Sequence, residues 1–462
     1  MSRSDLEGGG EKVAADLFRS YRARGHSSWL AVGQKHGDDP DVVPLPTAYY
    51  RGSWSRLWLS LEKRLQAPEG IAYSLTRTLL RTIANPAEEL APRFGAENFN
   101  HPGTYRLLEL VPNMPDVVQC HNLHGGYFDL RVLPQLSQRV PVVLTLHDAW
   151  LLAGHCSHSF GCERWKSGCG RCPDLTLYPA VKRDATAYNW RRKRDIFTRS
   201  RIFVATPSER LMEKVRQSML RGVMADTRVI PNGVDLNVFR PGDKFFSRAA
   251  LNLPQDVAVL LFTAHRAQSN PWKDYDTLRT ALERINQHTQ RPMLLVCLGG
   301  DGATERIGAA ELRPVPYVKD PKIVAQYYQA ADIYVHASRI DTFPCTVLEA
   351  LACGTPVIAS EVGGIPEQIK GLQVLHSVAA NRYGREEATG VLVPASNAEV
   401  MAESITGVLN DAPLRSELSQ NAAKDARDRF DLELQAQRYL EWFEEIVGSV
   451  AVPSTSFAAA AV

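Results

Sequence analysis

Short runs of β-branched and leucine-rich residues alternate along the chain with stretches whose apolar positions recur at helical spacing. That alternation predicts α/β architecture, with parallel sheets covered by helices on both faces. In the first half, PDVVQCHN, VPVVLTLHD and RIFVATPS each close on polar residues, and in the second half AVLLFTAH, PMLLVCLGGDG, ADIYVHAS and TPVIASEVGG repeat the arrangement. Carboxyl ends of strands are where open α/β sheets bind ligands. The pattern therefore predicts two doubly wound, Rossmann-like domains, residues 1–240 and 241–425. The boundary falls near Pro241 and Gly242, where RVIPNGVDLNVFRPGD interrupts regular structure. Helical spacing from Leu414 to Val447 predicts a C-terminal helix over 426–450 that crosses back to the first domain, and 451–462 reads as a disordered tail. Residues 37–103, rich in Pro, Trp and Arg, form an irregular insert without clear strands. Within it Trp54, Leu57, Trp58, Leu61 and Leu65 share one helical stripe, read first as a face packed on its own domain and second as a surface for membrane or a lipid-linked acceptor.

Composition narrows the function classes. The 462 residues carry 53 Lys+Arg against 51 Asp+Glu, a net charge of +2 that argues against nucleic acid as an overall partner. Neither a membrane-spanning apolar run nor a signal-peptide pattern is present, so the chain reads as cytoplasmic. Eight cysteines in so long a chain are not a secreted disulfide framework.

The most informative stretch is IDTFPCTVLEALACGTPVIASEVGGIPEQI, residues 340–369. Pro344 suits a first helical turn, Gly354 ends the helix, and Pro356 prevents its return before the strand Val357 to Ser360. The start of that helix is an anion site by geometry and dipole, and Gly363 and Gly364 supply a second close-approach turn. Glu349 falls in a helix whose neighbours Val347, Leu348, Ala350 and Leu351 are apolar, so its carboxylate needs a partner or a ligand.

This stretch resembles the donor-site signature of the retaining glycosyltransferases of family 4, which have the GT-B fold of two Rossmann-like domains facing a central cleft. RVIPNGVDLNVFRP and VPYVKDPKIVAQYYQAADIYVHAS match further segments of that family, and the likeness runs from about residue 4 to 447. The resemblance implies catalytic roles for Asp341, Glu349, His147 and Lys273. Glu349 would accept hydrogen bonds from the nucleotide's ribose. Asp341 and the backbone of Phe343, Pro344, Cys345 and Thr346 would face the donor sugar and its phosphates, Lys273 and Arg266 the diphosphate, and Val318 the nucleobase. Asp341 stands where the family more often has Glu. Gly9 and Gly10 match the family's glycine loop, but only MSRSDLE precedes it, so the first strand reads as missing, either because the recorded start is too far downstream or because the domain lacks it. His147 would contact the donor sugar. His121, Asn122 and His124, at another strand end, are assigned to the acceptor side.

The implied activity is transfer of a sugar from a nucleotide-sugar donor to a hydroxyl of a glycan or lipid-linked saccharide, in polysaccharide biosynthesis, with no catalytic cofactor. The alternatives are a non-catalytic subunit that binds nucleotide sugar or a partner, and a nucleotide-sugar epimerase of the same fold. The basic run YNWRRKRDIFTRSR reads as a solvated helix face or an attraction to anionic lipid. Cys156, Cys162, Cys169 and Cys172 combine a C-x-x-C pair with two nearby thiols, and in a reducing compartment they suit a structural zinc, with His155 or His158 as a substitute ligand, the alternatives being plain buried thiols or redox-sensitive pairs.

Overall fold

The computed structural model describes the whole chain apart from residues 7, 48, 65–70, 87–89, 265, 267–269, 271, 290, 374–381 and 452–462. The expected disordered tail thus lies outside the described residues from 452 onward. The chain divides into two compact units, one of Met1–Thr206, Leu211–Ile230 and Ala436 onward, the other of Pro207–Arg210 and Pro231–Gln435. By packing, the division falls at Pro231, ten residues before Pro241. The physical reason is local: Val234 pairs in parallel with Asp431, and a Cβ on Gly233 would meet Leu432 Cα at 2.5 Å, so this segment packs into the second unit.

In the first unit the strands are β1 (Ser2–Ser4), β2 (Leu30–Gln34), β3 (Val42–Pro44), β4 (Val118–His121), β5 (Val142–Thr145), β6 (Ile202–Thr206) and β7 (Met224–Val229). They form two parallel sheets, β1-β2-β3 and β4-β5-β6-β7. Met1 links them, donating from its ammonium to the Gln119 carbonyl at 2.6 Å and accepting from the His121 N–H at 2.9 Å. The first strand is therefore present but short, with Ser2 opposite Val32 and Ser4 opposite Gln34. Its Ser-Arg-Ser sequence has no apolar signal, and its burial comes from neighbours such as Val32 and Cys120. Beside Met1 lies a cavity of about 690 Å³ lined by Phe18, Tyr21, Leu30, Val118 and Phe443, among others.

The insert departs from expectation twice. It contains β3, which pairs with Leu30–Val32, and its helices Ser53–Arg64 and Ile71–Ala84 meet through Ser55 and through the Trp54 indole N–H, which donates to the Ile83 carbonyl at 3.0 Å, with Trp58 half-buried, while Leu57 and Leu61 of the apolar stripe are exposed. Ser55 is buried and its hydroxyl donates to the Ala84 carbonyl at 2.6 Å, whereas Trp54, Leu57 and Leu61 are 60%, 54% and 39% exposed. Leu65 lies outside the described residues. The helix Leu432–Ala451 runs in the first unit from Ala436, where Tyr439 and Trp442 are buried and Trp442 Nε1 donates to Asp226 at 2.8 Å. Among the described residues no helix is long and apolar enough to cross a membrane.

The second unit holds β8 (Ala258–Thr263), β9 (Met293–Leu298), β10 (Glu305–Ile307), β11 (Ala310–Val315), β12 (Ile333–His336), β13 (Val357–Ser360), β14 (Gly371–Leu372), β15 (Arg382–Tyr383) and β16 (Gly390–Val393). Their order is β10-β11-β9-β8-β12-β13-β16-β14-β15, parallel except for β10 against β11. The order reverses beside β8, so the carboxyl ends of β8 and β12 form a topological switch point, the usual ligand position in such sheets.

Candidate active site

At that switch point β12 ends in His336, which is fully buried. Lys273 is held beside it by an antiparallel bridge to Ser338, with the Asp274 N–H donating to the Ala337 carbonyl at 3.1 Å. Lys273 Nζ lies 2.6 Å from Asp341 Oδ2 and 3.2 Å from His336 Nε2, and His336 Nε2 lies 3.3 Å from the same carboxylate oxygen. Burial alone would raise the Asp341 carboxyl, but the Lys273 ammonium and the His336 ring outweigh it and hold the group well below the usual carboxylate range. Burial, then the neighbouring Lys273 charge, lowers His336 to about 4. The ring is therefore neutral near pH 7. Its Nε2 either accepts from Lys273, with Nδ1–H donated to Tyr334 at 2.9 Å, or donates to Asp341.

The loop that carries Asp341 is shaped by the two glycines after β13. A Cβ on Gly363 would sit 1.7 Å from the Asp341 carbonyl oxygen, and one on Gly364 2.2 Å from that of Thr342. The close approach these glycines permit is thus to the chain's own backbone. Asn232 Nδ2 donates to the Phe343 carbonyl at 3.2 Å and Gln368 Nε2 to that of Pro344 at 3.0 Å, which fixes the start of the helix Cys345–Ala352, with Pro344 as its cap and Cys345 and Thr346 in its first turn. Glu349 on this helix is 6% exposed and accepts from the Tyr328 hydroxyl at 3.0 Å. Tyr328 packs edge-on against Tyr334 with ring centroids 5.4 Å apart. Lys273, Asp341 and Glu349 are thereby joined through His336, Tyr334 and Tyr328. Val318 is half-buried against the same hydrophobic cluster, and Arg266 sits on an exposed left-handed turn at φ 51°.

The first unit carries a second cluster, at the ends of β4 and β5. His121 Nδ1 and His147 Nε2 are 2.9 Å apart, with their rings stacked at 5.2 Å and 17°. His124 Nε2 meets Asp148 Oδ2 at 2.7 Å, and Asp148 Oδ1 accepts the Trp150 N–H at 2.8 Å. The helix Gly9–Ala23 begins against these groups: a Cβ on Gly10 would lie 2.7 Å from Asn122 Nδ2 and 3.0 Å from His147 Cδ2, while Gly9 faces open space. Of these two glycines, Gly10 is the one that packing within the chain requires. Burial lowers His147 to about 4 and His121 well below its ordinary value; burial would also lower His124, but Asp148 outweighs it and holds that ring above.

A pH dependence follows. The unfolded chain protonates its histidines near 6.5, above the folded values of His147 and His336, so stability is lost as pH falls through that window, by up to about 3 kcal/mol for each ring near pH 4. His124 has the opposite sign, its stabilisation being present below 6.5 and fading as pH rises through its raised value. Three depressed rings, His121, His147 and His336, stand against one raised one. Melting temperature should therefore drop between pH 7 and pH 4.5, and a flat profile over that range would show that these rings titrate normally.

Sequence reading overlooked His336, Tyr328, Tyr334, Asn232 and Glu11. His336 carries the same signal as His147, a histidine that ends an apolar strand run. Asn232, Tyr328 and Tyr334 become recognisable only from their partners. Glu11 is buried in the first helical turn after Gly8, and burial raises its carboxyl. The basic run is not uniformly solvated: Lys193 is fully buried, 3.0 Å from Glu97 and 2.9 Å from the carbonyls of Trp150 and Ala153.

Known proteins resemble both units. The family described as Glycosyltransferase Family 4 matches residues 7–238, and Glycosyl transferases group 1 matches residues 243–425. The putative colanic acid biosynthesis glycosyl transferase WcaC of Escherichia coli strain K12 is 25% identical over 372 residues, covering 77% of this chain and 80% of the relative. D-inositol 3-phosphate glycosyltransferase 2 of Catenulispora acidiphila is 36% identical over 212 residues, 42% of this chain and 45% of that protein. That of Segniliparus rotundus is 34% identical over 180 residues, 36% of this chain and 39% of the relative. This chain thus spans less than half the length of these two D-inositol 3-phosphate glycosyltransferases. Among solved structures, Anabaena HepE in complex with UDP and glucose aligns with a TM-score of 0.58 at 17% identity, over 96% of this chain and 98% of its own. Sucrose-phosphate synthase from Thermosynechococcus elongatus aligns at 0.57 and 20%, over 97% and 99%. The family matches, which together span nearly the whole of 7–425, show that the chain belongs to glycosyltransferase family 4, and the whole-length structural likeness shows that it has the GT-B fold.

Proposed function

We propose that this protein transfers a sugar, with retention of anomeric configuration, from a nucleotide-sugar donor to a hydroxyl of a glycan or lipid-linked saccharide in polysaccharide biosynthesis. The observation that carries this reading is the group Lys273, His336 and Asp341 at the sheet's switch point, beside the start of a helix that bears the buried Glu349. Departure of a nucleoside diphosphate builds negative charge, which Lys273, Arg266 and the helix start at Cys345 would stabilise. No pair of protein nucleophile and base is required if the leaving phosphate takes the acceptor proton on the same face of the sugar. The role of the protein is then positioning and charge stabilisation. WcaC, named for colanic acid biosynthesis, and HepE, solved with UDP-glucose, support the substrate class. Val318 would pack against the nucleobase, and His147, with Gly9 and Gly10, would meet the donor sugar. His121, Asn122 and His124 would line the acceptor side.

The exposed Trp54, Leu57 and Leu61, with Arg51, Arg56 and Arg64 around them, support peripheral contact with an anionic membrane at its cytoplasmic face. A screen of nucleotide sugars by thermal shift, followed by hydrolysis and transfer assays with and without EDTA, tests the whole reading. One donor should raise the melting temperature and be slowly consumed, with no loss of rate in EDTA. Stabilisation without any turnover would favour a non-catalytic binding subunit, and release of a free epimerised sugar nucleotide would favour the epimerase.

A further inference from the structure

Residues 153–185, in the first unit, hold as regular structure only the three-residue turn Arg164–Lys166. A segment of that length without strands or a long helix needs another source of order. It contains Cys156, Cys162, Cys169 and Cys172, all free thiols, and the four line a single cavity of about 20 Å³ together with His155 and Trp165. That is room for about one atom of water size.

The backbone is bent to bring them there. Gly168, Cys169, Gly170 and Arg171 follow one another at φ 141°, 55°, 86° and 45°. Left-handed conformations at two non-glycine residues in one turn are unfavourable, and they persist where surrounding structure over-determines them. Cys169 Sγ accepts the Gly154 N–H at 3.3 Å. The Cys172 N–H donates to Asp184 Oδ2 at 2.7 Å, and Asp184 Oδ1 accepts the Thr186 N–H at 3.0 Å, which ties the turn to the helix Thr186–Phe197. His155 Nδ1 stands 3.1 Å from the Pro179 carbonyl, which can only accept, so its Nε2 is turned to Cys172 Sγ at 3.3 Å. Among the described residues no three His, Cys, Asp or Glu side chains are already drawn together tightly enough to hold an ion. The thiols ring the cavity more widely than a ligand shell.

We propose that this loop is a structural zinc site in which Cys156, Cys162, Cys169 and Cys172 close on one Zn²⁺ as thiolates, each giving up its proton, with no change of oxidation state. Inward rotation of the cysteine side chains completes the tetrahedron and carries Cys172 Sγ, once a thiolate, away from the His155 Nε2 lone pair. Four protein ligands leave no open position for water, so the ion serves the fold and not the reaction. What it holds in place is specific. The Ser157 carbonyl accepts the Ala149 N–H at 2.8 Å, the Ser157 N–H donates to the Tyr178 carbonyl at 2.8 Å, and the Tyr178 ring lies edge-on to His124 at 5.6 Å. The site therefore braces the wall behind the His124–Asp148 pair. It is independent of the transferase reading.

The full chain, purified under a metal-free reductant, is expected to carry one equivalent of zinc that a thiol-capping mercurial releases. Replacement by Co²⁺ should produce thiolate-to-cobalt charge-transfer absorption and the strong d–d bands of a tetrahedral site. Cys162→Ser and Cys169→Ser should each lower bound zinc to less than about a tenth of an equivalent, while Cys353→Ala, elsewhere in the fold, retains it. Should the serine variants fail to fold, the cobalt spectrum and the ratio of zinc to reactive thiols in the unmodified chain still decide. Wild-type protein that holds less than about a tenth of an equivalent and gains none from added zinc overturns the proposal, whether thiol titration then finds four free cysteines or a disulfide.

Discussion

Lys273→Met is expected to lower turnover by about 100- to 1000-fold, the usual loss when one preorganised group that stabilises transition-state charge is removed. In the structure this ammonium is committed to Asp341 at 2.6 Å, with side-chain exposures of 14% and 22%. A donor diphosphate would share it, since its oxygens carry more charge than one carboxylate and Lys offers three N–H donors. Removing the cation also leaves Asp341 partly buried without its main partner, so the variant should lose some stability, on the order of 1–3 kcal/mol once partial exposure is allowed for. The double variant Lys273→Met with Asp341→Asn separates the two effects. Stability should return while turnover stays low. Calorimetry with the nucleoside diphosphate provides the second check: affinity equal to that of the wild type, with unchanged turnover, would remove Lys273 from the donor site.

Glu349→Gln should raise the donor KM by roughly ten- to a hundred-fold, the value of a hydrogen bond to a charged group. The fold should survive, because glutamine keeps an oxygen to accept from the Tyr328 hydroxyl at 3.0 Å. Glutamate at 6% exposure in an otherwise apolar helix is costly unless its charge is used. A ribose diol would use it by donating to the carboxylate. Tyr328→Phe should reproduce a smaller part of the same KM effect. If Glu349→Gln leaves donor affinity unchanged yet lowers the melting temperature, the carboxylate belongs to the core and not to the ligand.

The alternation of apolar strand runs and amphipathic helices was legible without any structure, because each strand of a parallel sheet is buried on both faces and must be apolar by itself. β5, β6, β8, β9, β12 and β13 are all of this kind. The helix that bears Glu349 was legible for a related reason, its proline, glycine and following proline being local punctuation. The family likeness rested on the same local strings, and it reached Asp341, Lys273 and His147 through them.

What escaped reading depends on partners far away in the chain. β1 has only Ser-Arg-Ser and is a strand because β2 and Met1's bonds to β4 make it one. The stripe of Trp54, Leu57, Trp58 and Leu61 is apolar at helical period, but period states that a face is apolar and not what covers it; here Ser55 and the Trp54 indole meet the neighbouring helix, Trp58 is half-buried, and the side chains of Trp54, Leu57 and Leu61 stay exposed. His336 became part of the site only when a bridge between Lys273 and Ser338 brought a lysine to its ring. Gly363 and Gly364 look from sequence like a ligand turn, and the folded chain uses them to admit the carbonyls of Asp341 and Thr342. By itself the sequence determined the elements, their burial and the residue types at strand ends, since those follow from local propensity and hydrophobic period. Only the tertiary structure decided which of those residues meet, because long-range pairing is set by the summed packing of whole elements and no single side chain records it.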